Sequence, residues 1–263
     1  YSSLGNTTTN NKIKITNTNN TNLNVYGGYT AGAGDSTNNH VTITATGKVK
    51  AAYGGYATAA NSKAENNSVT VESGASINDS IYGGWAKKTV NNNTVMIAGG
   101  TFQKVIYGGA GGDSSSTETF TVNNNTVTIA GGTFSSNIYG GYSWKADGTT
   151  ENNTVNLGDG TVAGVITTGR VTGTIYGGYT DVTGGKATGN TVTVEKSLDA
   201  DLVGGKAAAE ASDNTVNVTN VAVKSVTGGD GATTNNNIVN ISGGSRVTNN
   251  LAGGTAANST GNT

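Results

Sequence analysis

The chain has 263 residues, 15 Lys or Arg against 16 Asp or Glu, 42 glycines, and neither proline nor cysteine. With 12% charged residues and a net charge of -1, a nucleic acid has no electrostatic foothold. The missing cysteines exclude disulfides, thiolate metal sites and cysteine nucleophiles; no apolar run nears the ~20 residues of a membrane helix, so no direct membrane insertion of this segment is expected, and no signal peptide stands at Tyr1.

Residues 1–9 lack any repeat and read as an N-terminal tail or the end of a preceding coil. From residue 10 to 256 two half-motifs alternate, nine copies of each. The Asn-Thr-Val-x-Ile half has its first apolar residue at Ile13, Val41, Val69, Val95, Val127, Val155, Val192, Val216 and Val239. The Tyr-Gly-Gly half has its first glycine at Gly27, Gly54, Gly83, Gly108, Gly140, Gly177, Gly204, Gly228 and Gly253. In Val127-Thr128-Ile129 the apolar residues are two apart, the period of a strand with one buried face. An apolar residue before each Tyr position (Ile81, Ile106, Ile138, Ile175) points the Tyr outward, and the paired glycines are expected to turn the backbone. A small residue four places after the Tyr position, such as Ala57 or Ala86, suits a cramped third strand or corner.

Successive Gly-Gly pairs lie 24–37 residues apart, and the variation falls mostly after the Gly-Gly, as when loops leave a coil at one corner. The fold class expected is all-β: a parallel β-helix (β-solenoid) of about nine coils of 24–37 residues, one continuous solenoid over 10–256. At one strand spacing per coil the rod is roughly 40 Å long. A chain that needs every backbone N–H for ladders between coils has reason to exclude proline. Residues 110–123 and 158–174 lengthen two loops, and 257–263 read as a C-terminal tail or the start of a further coil. Neither end shows a cap, which predicts a segment of a larger protein.

Four constellations carry functional expectations. Asn pairs precede the first strand, and Asn39, Asn67, Asn93, Asn125, Asn153 and Asn237 are expected to form a structural ladder at one corner, with a left-handed backbone angle tolerated there. Tyr26, Tyr53, Tyr82, Tyr107, Tyr139 and Tyr176 fall in one rank, and Tyr29, Tyr56, Trp85, Tyr142 and Tyr179 in a second, three residues on. Such ranks either cover the glycine-rich segment and stiffen the rod, or bind a sugar or protein partner. Outward Thr-x-Thr pairs at Thr126/Thr128 and Thr191/Thr193 evoke ice-binding solenoids, but His40, Met96, Asn156, Asn217, Ile238 and Asn240 break the lattice. Catalysis has no basis: His40 is the one histidine, and Glu72, Asp79, Lys87, Lys88, Glu151, Asp159 and Arg170 do not recur in phase, so no enzyme, no metal and no cofactor is expected.

The run Asn124-Asn125-Thr126-Val127-Thr128-Ile129-Ala130-Gly131-Gly132-Thr133-Phe134, followed by Ile138-Tyr139-Gly140-Gly141-Tyr142, resembles the repeats in passenger domains of large bacterial autotransporter (type V secretion) adhesins. The resemblance spans residues 10–256 and implies a right-handed parallel β-helix displayed on the bacterial outer surface or secreted. It also implies adhesion to host or neighbouring cells through a surface glycan or protein. The matching motif is scaffold, so no binding residues carry over. A self-associating extracellular filament, whose partner is another copy of the chain, is the alternative expectation, and an ice-binding solenoid the second.

Overall fold

The computed structural model describes residues 6–113, 119–158 and 173–263. Among these residues there is no helix, and the strands stack in parallel as a β-solenoid of about nine turns. Each coil runs through a valine strand, in most coils a two-residue strand, then a glycine strand, a third strand and an asparagine corner.

The valine sheet has nine strands, from Lys12–Ile15 to Ile238–Ser242, and the glycine sheet nine, from Asn24–Thr30 to Leu251–Thr255. Neighbours in each sheet are equivalent residues one coil apart, as in Val95 beside Val127 and Tyr82 beside Tyr107. The strand Thr126–Ile129 shows the expected alternation, with Val127 and Ile129 fully buried and the threonines half-buried. Lys48–Val49, Ser76–Ile77, Thr101–Phe102 and Thr133–Phe134 form a short fourth sheet that turns Val49, Ile77, Phe102 and Phe134 inward. Phe102 and Phe134 stack with centroids 5.0 Å apart.

A ten-stranded third sheet runs from Thr8–Thr9 to Asn258–Thr260. The sequence suggests only a cramped strand or corner here, because strands of two or three residues are too short to show a period. Both sequence stretches outside the repeat take part: Thr8–Thr9 pairs with Ser36–Thr37, and Asn258–Thr260 with Thr233–Asn235. In the first long loop, Gly111 ends a glycine strand and Thr121–Asn123 is a third-sheet strand, while 114–118 lie outside the described residues. In the second, 159–172 lie outside them.

The paired glycines differ from expectation. They do not turn the chain out of the sheet; the strand Asn24–Thr30 runs through Gly27-Gly28, and the two residues face inward in succession. The cause is space. A Cβ on Gly27 would meet the carbonyl of Gly54, and one on Gly28 would land on the side-chain amide of Asn39. This double step inward leaves Tyr26 and Tyr29 both on the outer face. The Asn–Gly contact also pinches the interior. A large apolar core lies between the valine, short and glycine strands, and a smaller one, with Ala57, Ala64, Ala86, Val90, Phe120 and Val122, lies toward the third sheet.

Candidate functional site

The corner asparagines form an unbroken buried ladder. Asn39 Nδ2 donates to Asn67 Oδ1 at 2.9 Å, Asn67 to Asn93 at 2.9 Å, Asn93 to Asn125 at 2.9 Å and Asn125 to Asn153 at 2.9 Å. Beyond Asn153 the ladder passes through Asn190 and Asn214, which were not predicted, to the predicted Asn237 and on to Asn262, at 2.8–3.0 Å. At the other end, Asn11 Nδ2 donates to Asn39 Oδ1 at 2.7 Å. Each Oδ1 also accepts the backbone N–H of the Asn one coil before it, as Asn67 does from Asn39 at 3.0 Å. The second amide hydrogen goes to a third-sheet carbonyl, as from Asn93 to Ala64 at 2.9 Å. Every polar atom of the amide is therefore used, which makes full burial tolerable.

The two members of each Asn pair have separate tasks. The first is the left-handed residue (Asn38, Asn66, Asn92, Asn124, Asn152 and Asn236, φ 52–57°), and the second carries the ladder. Any residue that accepts positive φ serves in the first place, so Gly189, Asp213 and Gly261 precede Asn190, Asn214 and Asn262. A search for pairs misses these three. The usable signal for the first two is a single Asn immediately before the Thr of a valine strand.

The aromatic residues meet on the outer face of the glycine sheet. All six members of the first rank, Tyr26, Tyr53, Tyr82, Tyr107, Tyr139 and Tyr176, stack in one continuous series, with centroids 4.7–5.4 Å apart and planes within 4–16°. The second rank stacks in two segments, Tyr29–Tyr56–Trp85 at 5.4 and 4.6 Å, and Tyr142–Tyr179 at 5.1 Å. Between the ranks the rings meet edge to face, at 4.8–5.2 Å and 74–79° in four of the coils. Offset stacking and edge-to-face contact both suit the ring quadrupole.

The break in the second rank falls at Ala110, which pairs with Trp85 on one side and Tyr142 on the other. Trp144, from the loop after Tyr142, reaches back into this gap. Its ring lies 6.1 Å from Trp85 and 5.7 Å from Tyr142, and Nε1 donates to the carbonyl of Gly112 at 3.1 Å. Trp144 is off the three-residue spacing, so sequence reasoning missed it; an Ala in the rank with an extra aromatic one coil on was the available sign.

Mutual packing leaves ten rank members half-buried and Tyr139 buried. Desolvation therefore raises the phenol pKa of Tyr26, Tyr53, Tyr56, Tyr82, Tyr107, Tyr139, Tyr142 and Tyr179. Tyr82 and Tyr139 are pushed up to about 12, the hydrogen bonds from Ser80 and Asn137 partly opposing the rise. Tyr53 and Tyr107 are raised by burial and by their stacked neighbours. Tyr179, raised chiefly by desolvation, donates its hydroxyl to Asp181 Oδ2 at 2.6 Å.

On the valine sheet Thr94, Thr126, Thr154, Thr191 and Thr215 stand in register, between Ser68 and Ile238. The adjacent rank is mixed, with Met96, Thr128, Asn156, Thr193 and Asn217. His40 lies half-buried between Ser68 and Thr42, hydrogen-bonded to both hydroxyls. Lys87 pairs with Asp113 at 3.3 Å, and Glu72 accepts the Ala45 backbone N–H; Asp159 and Arg170 lie outside the described residues. Among the described residues no three His, Asp or Glu converge on a point that could hold a metal.

Comparison with protein-family models, with curated proteins and with solved structures returned no match for this chain.

Proposed function

We propose that the chain is a non-catalytic structural and adhesive rod of a bacterial surface or secreted protein, whose aromatic face in coils one to six contacts a glycan or protein on host or neighbouring cells. The observation that carries this reading is the interlocked double rank. Six stacked tyrosines are braced edge-on by a second aromatic row on a parallel β scaffold. Rings already held in place lose little rotamer freedom on binding, so contact area converts to affinity at low entropic cost. The face carries aromatic bodies with polar edges, a composition enriched at binding surfaces.

The test is retention of chain-coated beads on host cells and on bacterial cells, with Tyr82→Ala and Trp85→Ala compared with the parent and with Thr227→Ala. Loss of about tenfold in retention for the aromatic variants alone is the expected result. Equal retention for all four proteins would remove the aromatic face from the reading.

A further inference from the structure

We propose that the first aromatic rank is a site of oxidative phenol coupling, at which a one-electron oxidant joins tyrosines of adjacent coils into dityrosine. Coupling needs two phenols that meet repeatedly, and the sheet register supplies them. Tyr53 lies 4.8 Å from both Tyr26 and Tyr82, with planes 12° and 4° from parallel, and Tyr82 lies 4.7 Å from Tyr107. These rings are half-buried, so the outer side of the rank is open to an oxidant. With no cysteine in the chain, a disulfide between coils is closed to it.

The chemistry balances with hydrogen peroxide and a haem peroxidase. Each phenol loses one electron and its hydroxyl proton, and the two radicals form a bond between ring carbons ortho to oxygen. The hydrogens on those carbons then return to the phenol oxygens. One peroxide takes up two electrons and two protons and leaves as two waters, so each bond removes two hydrogens from the chain. The product ties one coil covalently to the next, which restrains the unfolded chain as any cross-link does. Coils seven to nine provide the internal control, since Val203, Thr227 and Ala252 occupy the same rank without a phenol. The inference does not depend on what the aromatic face binds.

The experiment treats the dilute full chain with peroxidase and hydrogen peroxide, then reads intact mass, dityrosine fluorescence and linked peptides after proteolysis. Expected are losses of two hydrogens per bond, with links between rank neighbours such as Tyr53 and Tyr82. Tyr53→Phe keeps the ring and the stack, and should abolish every link to that position while links between Tyr139 and Tyr176 persist. An unchanged mass, oxygen addition alone, links only between separate chains, or an unaltered map in Tyr53→Phe would each overturn the proposal.

Discussion

Along the first outer rank, tyrosines from Tyr26 to Tyr176 give way to Val203, Thr227 and Ala252. The second rank passes from Tyr179 to Lys206, Asp230 and Thr255. There ring stacking is replaced by a Lys206–Asp230 ion pair at 2.8 Å and a hydrogen bond from Thr255 Oγ1 to Asp230 at 3.0 Å. Inside, the Asn–Gly contact and the ladder continue across this boundary. Gly178 and Gly205 meet Asn190 and Asn214 in the same way, and the ladder crosses at 3.0 Å. The two regions thus share the parts that no other residue can replace and differ in parts the fold tolerates. The interior specifies the coil, and the outer ranks are open to other demands.

The largest expected effect comes from cutting the shared part. Asn125→Ala and Asn214→Ala each remove an acceptor for two donors of the preceding coil, Asn93 and Asn190 respectively, and strand the partners in a dry interior. Each should cost about 3–5 kcal/mol in urea unfolding, with the two values within about 1 kcal/mol of each other. A large gap between them would mean that the aromatic surface supports its own coils.

Outer substitutions should separate the regions. Tyr82→Ala loses two stacked faces, at 4.8 and 4.7 Å, and should cost about 2 kcal/mol. Thr227→Ala, at the equivalent place in coil eight, should stay within about 0.5 kcal/mol.

Alkaline pH should do the same without mutation. Phenols of the unfolded chain ionise near pH 10, whereas folded Tyr82 and Tyr139 keep their protons to about 12. Between these values the unfolded state binds fewer protons, so stability present below pH 10 is lost as pH rises toward 12. Amide protection of coils one to six should fall in that window ahead of coils seven to nine, and Tyr82→Phe should lessen the difference.

Lys206→Ala should have the smallest effect. Its ion pair is partly exposed, so the loss should lie within about 1 kcal/mol and shrink with added salt.

How much of this is legible in the sequence follows from what each feature needs. Val127 and Ile129, two residues apart and repeated at constant phase, announce a buried strand face, and the tyrosines three residues apart announce two ranks. Third-sheet strands such as Thr121–Asn123 are too short for a period, so that sheet emerges only from the coil's closure. The Asn pair merges two needs, positive φ and a buried amide, and hides the ladder wherever Gly189 or Asp213 meets the first. The glycines read as turns because glycine most often serves backbone freedom, whereas here it yields space to Asn39 and its equivalents. Trp144 depends on a loop folding back one coil, so its sign is Ala110 of the preceding coil and not the spacing of its own repeat.

The separability of interior and exterior is most directly tested by resurfacing coils one to six with residues that coils seven to nine already use. Tyr26, Tyr53, Tyr82, Tyr107, Tyr139 and Tyr176 would be replaced together by Val or Thr, and far-UV circular dichroism and amide protection of the ladder measured beside cell retention. Expected is a β-solenoid that unfolds at lower denaturant than the parent, with the ladder amides still protected in the absence of denaturant and retention lost. An unfolded chain, or a folded one that adheres as before, would contradict the separability.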